Sequence, residues 1–161
     1  MDVFAHGLWT YAIYYKKKYR LLATLFGVAP DLFAFGFFFL HNLITNSLSL
    51  SRPSVSSIPE YVFMGYNFSH SLVIFFFVVG IVYFITREIP WVMGGWLLHI
   101  LIDIPSHTRE FFPTPFLWPI SSFKISGISW GNKYFMITNY TALILVYAFY
   151  VIPNLKRSKK N

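Results

Sequence analysis

Histidine and aspartate recur at intervals of four inside an apolar stretch of this sequence. His99, Asp103 and His107 stand there among Leu and Ile residues. A spacing of four residues puts His99 and Asp103 on the same face of a helix. An imidazole and a carboxylate are costly in such surroundings unless they bind something. The pattern therefore predicts a binding site on this helix.

Further polar side chains precede this helix in similarly apolar surroundings. Neutral imidazoles and carboxylates together form the usual ligand set for Zn²⁺ and related divalent ions. We therefore expect a divalent metal, with zinc as the expected ion, held between several helices. The predicted metal ligands are His6, Asp31, His70, His99, Asp103 and His107. The chain has no cysteine, which excludes a thiolate metal site and a disulfide framework.

The predicted site has a definite chemistry. A metal held by His and Asp lowers the pKa of a bound water and polarises a phosphoryl or carbonyl oxygen. Asp31 or Asp103 could act as the general base that takes the proton of the water. Arg109, Lys124 and Lys133 follow in a loop and could bind an anionic headgroup. We expect hydrolysis of a phosphoester in a membrane lipid or a lipid-linked substrate.

Each residue also has a structural interpretation. A single buried His or Asp can simply hydrogen-bond a neighbouring helix. Asp31 follows Pro30 and could cap a broken helix, while Ser69 could cap the helix after His70. Pro105 could end the helix near Asp103 and leave His107 off the stripe. His41, near the outer end of its apolar segment, is interpreted as an interfacial residue without a role.

The composition of the chain indicates a membrane protein. The 161 residues are 56% hydrophobic and only 12% charged, with a mean hydropathy of +0.54. Soluble domains need more charge than this to cover their surface. Residues 1–161 are long enough for one domain and leave no length for a second.

Apolar segments predict the fold class, an all-α integral membrane bundle. Crossing a bilayer takes roughly 20 apolar residues. The predicted transmembrane helices are about 21–44, 68–86, 89–104 and 135–152. The apolar segment 2–15 is too short to cross a bilayer, so we predict a half-membrane helix at the start of the chain. Residues 46–67 are predicted to form a polar outer loop. Residues 105–133 are predicted to form an outer interfacial loop or a lid over the helix ends.

The basic residues predict the orientation of the bundle. Nine Lys and Arg fall in three clusters at 16–20, 87 and 156–160, against four elsewhere. This is the positive-inside pattern, which places the clusters in the cytoplasm. Basic residues follow the first apolar stretch instead of preceding it, so no cleavable signal peptide is expected. They form no continuous stripe, so nucleic acid is not expected as a partner.

The helix rise puts the polar residues at one depth. His6, Asp31, His70, His99 and Asp103 lie roughly 16–26 Å along their helices from the basic clusters. A level in the outer half of the bilayer favours a lipid substrate. An ion or proton pathway, the alternative function, would place polar residues at several depths. A purely structural membrane protein with polar helix contacts is a further alternative.

The order of these motifs resembles the family of membrane-bound metal-dependent hydrolases. His6-Gly7, Pro30-Asp31, Ser69-His70-Ser71 and His99-x3-Asp103 carry the resemblance. The family includes a bacterial inner-membrane protein regulated by LexA, which implies a prokaryotic cytoplasmic membrane. The series is also similar to part of the ligand set of zinc-dependent phospholipase C. The later His-x3-Glu pair of that pattern is absent, so the resemblance implies one or two ions.

Overall fold

The computed structural model describes residues 1–47 and 53–158, and this part of the chain is helical without any β-strand. The all-α fold class is confirmed. The α-helices are α1 (Val3–Tyr14), α2 (Arg20–Ile44), α3 (Glu60–Ser69), α4 (Leu72–Thr86), α5 (Gly94–Ser106), α6 (Lys133–Val146) and α7 (Ile152–Ser158).

The first two helices form an antiparallel hairpin. The carboxylate of Asp2 caps α1 by accepting a hydrogen bond from the backbone N–H of Ala5 at 3.0 Å. Residues 15–19 turn the chain, and α1 then packs along α2. The packing is close because Gly27 lies against Thr10, where a Cβ would overlap the hydroxyl. The predicted segment 2–15 is therefore a helix that stays next to the first long helix.

The segment predicted as a span over 68–86 has a different form. α3 and α4 meet at a bend of 59° around His70. Ser71, not Ser69, caps α4 by accepting a hydrogen bond from the N–H of Ile74. Residues 48–52 of the predicted polar loop over 46–67 lie outside the described part of the chain, and the prediction is wrong from residue 60 onward. There, α3 buries Val62 and Tyr66, four residues apart on one face, in the cluster that includes Ala34 of α2.

The two remaining predicted spans differ in length. α5 runs through Pro105 to Ser106, but a 3₁₀ turn at Trp91–Met93 delays its start. It is therefore shorter than a complete span. Lys133–Arg157 forms one apolar helical stretch of 25 residues, with π-helical geometry at Tyr147–Val151.

Within the described residues, two helices are long and apolar enough to cross a membrane, Arg20–Ile44 and Lys133–Arg157. The bent pair α3 and α4 makes a third if it counts as one span. Four complete spans are not confirmed. The outer faces of these helices carry exposed large apolar side chains, such as Phe37, Phe77 and Ile85. Such faces are compatible with a membrane protein, because an all-apolar helix surface needs cover other than water.

Residues 107–132 fold back over the end of α5. The backbone N–H groups of Gly127 and Trp130 donate to the carbonyl oxygens of His107 and Ser106, at 2.7 and 2.9 Å. Phe112 is buried in the cluster formed by α2 and α3. This segment, predicted as an interfacial loop or a lid, therefore lies over the helix ends in the structure.

Candidate metal centre

Four polar side chains from three parts of the fold converge inside the bundle. They are Asp31 of α2, His70 at the α3–α4 bend, and His99 and Asp103 of α5. One donor atom from each lies within 4.8 Å of all the others. The side chains of His70, His99 and Asp103 are fully buried, whereas Asp31 keeps 13% of its side chain exposed. This group could hold a metal ion.

The distances within the group are short. The Nε2 atoms of His70 and His99 are 3.0 Å apart. Oδ2 of Asp103 lies 3.4 Å from each of these two nitrogens. Oδ1 of Asp31 lies 3.5 Å from Nε2 of His70 and 3.7 Å from Nε2 of His99. Two imidazole nitrogens and two carboxylates packed so closely need a proton or a metal ion between them.

Backbone carbonyls orient both imidazoles of the group. Nδ1 of His99 is 2.8 Å from the carbonyl oxygen of Gly27, and Nδ1 of His70 is 3.2 Å from that of Tyr66. A ring whose Nδ1–H donates to a carbonyl has its Nε2 lone pair available for a metal. Oδ2 of Asp103 is buried and has no hydrogen-bond partner among the described residues. The donor set therefore fits a divalent cation.

Asp103 has a second set of neighbours on its other oxygen. Oδ1 lies 2.9 Å from Nε2 of His6 and 3.4 Å from Nε2 of His107. The amino nitrogen of Met1 also contacts Oδ1 and lies 3.0 Å from Nε2 of His107. A cationic group against a buried carboxylate offsets part of the cost of burying its charge. The imidazole of His6 stacks on that of His99, with ring centroids 3.7 Å apart.

His6 and His107 thus lie beside the group of four and not within it. Both side chains are buried. Their Nδ1 atoms have no hydrogen-bond partner within residues 1–47 and 53–158. Their role as metal ligands stays a prediction. Pro105 does not end the helix near Asp103, because α5 continues through Pro105 to Ser106, next to His107.

The three basic residues predicted to bind substrate do not all line the same cavity. Arg109 and Lys124 line the same surface cavity. The guanidinium of Arg109 also donates to the carbonyl oxygen of Lys124 at 3.3 Å. Lys133 is exposed at the first turn of α6 and does not line that cavity. Their role in substrate binding stays a prediction.

Several side chains that support the group were not predicted. The ring of Tyr66 stacks on His70 at a centroid distance of 3.8 Å, and its hydroxyl donates to the carbonyl oxygen of Phe112. Ser69 bridges two elements, since its Oγ donates to Pro30 and lies 2.9 Å from Nδ1 of His70. Tyr66 stands four residues before His70, so the helical spacing that linked His99 to Asp103 could also have indicated this pair.

The comparisons with known proteins found no matching family model, curated protein or solved structure.

Proposed function

We propose that this chain is a membrane-embedded, metal-dependent hydrolase that acts on a phosphoester of a lipid or lipid-linked substrate. The observation that carries the proposal is the convergence of Asp31, His70, His99 and Asp103 inside an apolar bundle. Ionisable groups at such positions are costly and are functional by default. The resemblance of the motif order to membrane-bound metal-dependent hydrolases supports the same class.

The metal would be held by His70, His99, Asp31 and Asp103. When bound, a divalent ion supplies a Lewis acid that lowers the pKa of a water and polarises a phosphoryl oxygen. Zinc suits the donor set best, because imidazole and carboxylate ligands in a compact site are typical of it. The stacked ring of Tyr66 and the carbonyl of Gly27 keep the two imidazoles in place.

Asp31 is the best-placed general base of the group. Its side chain retains some exposure, while Asp103 is fully buried and contacts histidines on both oxygens. Oδ1 of Asp31 faces the two imidazoles, so its other oxygen, Oδ2, would take a proton from the attacking water as the oxygen of the water bonds to phosphorus. The P–O ester bond then breaks, and the proton passes to the leaving alkoxide. The products are an alcohol and a phosphomonoester from a phosphodiester, or an alcohol and inorganic phosphate from a phosphomonoester.

The two sides of Asp103 allow either one or two ions. His70 and His99 face Oδ2, whereas His6 and His107 face Oδ1. A second ion would take His6 and His107 together with Oδ1, and it would replace the amino group of Met1 that contacts Oδ1 in the structure. The expected metal content of the purified protein is therefore between one and two equivalents, and His107→Ala lowers it only if the second ion is present.

The test is elemental analysis of the protein purified in detergent, followed by an assay of phosphoester hydrolysis. We expect stoichiometric zinc or another divalent ion, and loss of hydrolysis when a chelator removes it. A double variant, His99→Ala with Asp103→Ala, should lose both. Equal metal content in the wild type and the double variant would end the proposal. Bound metal without hydrolysis, together with proton or ion flux in liposomes, would favour the alternative of a transport pathway.

A further inference from the structure

A cavity of about 450 Å³ opens on the surface of the loop over α5. Its lining residues are Arg109, Pro113, Ser122, Phe123 and Lys124. We call it the basic cavity. Its lining includes an arginine, a lysine and a serine, and none of the lining residues is acidic.

The fold of the loop holds Arg109 against the backbone of Lys124. The guanidinium of Arg109 donates to the carbonyl oxygen of Lys124, and its backbone N–H donates to the hydroxyl of Ser126 at 3.4 Å. Arg109 lies two residues after His107, whose carbonyl oxygen accepts a hydrogen bond from the backbone N–H of Gly127. Two segments of the loop thus bring Arg109 and Lys124 to the same cavity, and the Arg109 side chain has no other hydrogen bond or ion pair within the described residues.

A phosphate group is the ligand that this chemistry recognises. Arg binds phosphate through two parallel N–H donors, and Lys adds a point charge. Ser122 supplies a further hydroxyl donor at the same cavity. A neutral or cationic ligand would leave both charges uncompensated.

The surroundings of the basic cavity favour a lipid over a free phosphate. Ile120, Phe123, Ile125 and Ile128 are between 41% and 79% exposed, although they are large apolar residues. Phe123 belongs to the cavity wall and packs edge-on against Phe116, with ring centroids 6.2 Å apart. Apolar side chains around a basic cavity match the boundary between acyl chains and headgroups.

We propose that the basic cavity binds the phosphate of an anionic phospholipid headgroup, with the exposed apolar side chains of the loop inserted among the acyl chains. The proposal depends on a membrane position for the loop but not on the metal centre or on hydrolysis. It assigns Arg109 and Lys124 to one site and leaves Lys133 outside it.

The experiment counts the phospholipids that stay bound to the detergent-purified protein in native mass spectrometry. Phosphatidylglycerol and phosphatidylcholine are supplied separately. The test variant is Arg109→Gln with Lys124→Gln. The control variant is Lys17→Gln with Lys156→Gln, which removes the same charge from exposed positions outside the cavity.

We expect the wild type and the control variant to retain phosphatidylglycerol in preference to phosphatidylcholine. The test variant should bind phosphatidylglycerol at least about tenfold more weakly, because two charge-assisted contacts are lost. Its metal content should equal that of the wild type, which separates this result from any failure of the hydrolase proposal.

Three outcomes would overturn the proposal. The test and control variants could lose phosphatidylglycerol equally, which would mean that the net charge of the protein, and not the basic cavity, determines lipid binding. The wild type could retain both lipids alike. Millimolar inorganic phosphate could displace phosphatidylglycerol completely, which would identify the cavity as a site for the free anion.

Discussion

Asp103 is the carboxylate of the candidate metal centre that is most enclosed by other side chains. It is fully buried, and each of its oxygens faces two imidazoles. A carboxylate without partners at such a place would cost several kcal/mol. Its charge is therefore tolerable only while cations or donors surround it. Replacing Asp103 by a neutral group of the same shape removes the charge and keeps the packing volume, so the effect of the charge alone can be measured.

Asp103→Asn should remove most of the bound metal while keeping the packing of α5. The amide offers one weak donor oxygen and no charge, so affinity should fall by more than the roughly 10–100-fold that follows loss of an outer-shell partner. Elemental analysis at a series of free zinc concentrations measures this. His41→Ala is the control, because His41 is exposed near the end of α2. Metal content in Asp103→Asn equal to that of the control would remove Asp103 from the ligand set.

Ser69→Ala tests the orientation of His70. The hydroxyl of Ser69 links the carbonyl of Pro30 to the imidazole of His70, and its loss should weaken metal binding about tenfold. Ser57→Ala removes an exposed hydroxyl of the same type and serves as the control. Competition with a zinc-binding dye gives both affinities. A ratio near one would mean that the carbonyl of Tyr66 alone orients the ring.

The sequence predicted the four residues of the group better than the hydrogen bonds that orient their side chains. An i, i+4 pair of His and Asp in an apolar helix is visible without coordinates, as is Asp31 after Pro30. The contacts of Ser69 with Pro30 and of His99 with the carbonyl of Gly27 join residues far apart in the chain. No local pattern encodes such contacts.

Among the elements, the bend between α3 and α4 was the hardest to predict. Its sequence, Ser69-His70-Ser71, contains neither Gly nor Pro, and the break depends on capping by Ser71. Pro30 gives the opposite case, because α2 continues through it. The bend matters for the site, since it is what places His70 against α5 instead of inside a continuous helix.

The contact between α2 and α5 requires glycine at one position. A Cβ at Gly95 would overlap the carbonyl oxygen of Ala23, and backbone cannot move aside as a side chain can. Gly95→Ala should therefore cost about 1–3 kcal/mol in the free energy of unfolding. It should also weaken metal binding, because His99 would move away from Asp31. Thermal unfolding in detergent and metal analysis measure the two effects.

Gly80→Ala is the matched control on α4. A Cβ there meets no atom within 4 Å, so alanine should be neutral or stabilise the helix by up to about 1 kcal/mol. If Gly95→Ala behaved in the same way, α2 and α5 would not pack as closely as the structure has them.

At the scale of the whole molecule, α1 and α5 are short helices held against the long helix α2. The arrangement explains how His6, Asp31 and His99 reach the same level although two of their helices are not complete spans. The depth calculation from the basic clusters predicted this meeting. It could not predict how many helices are long enough to cross a membrane, because the bend at His70 and the 3₁₀ turn at Trp91–Met93 divide apolar segments that look continuous in the sequence.

The orientation of the bundle is the remaining whole-molecule prediction, and the chain lends itself to a direct test because it contains no cysteine. Single cysteines at Ser54 and Ser126 stand in the two segments expected outside, and a cysteine at Thr86 stands beside Arg87 on the side expected in the cytoplasm. All three positions are exposed. An impermeant maleimide added to intact cells should label the first two and leave the third unlabelled until the membrane is opened, since the positive-inside rule keeps Arg87 in the cytoplasm. Labelling of only the cysteine at Thr86 would invert the bundle, and the metal centre and the basic cavity would then face the inner leaflet and its lipids.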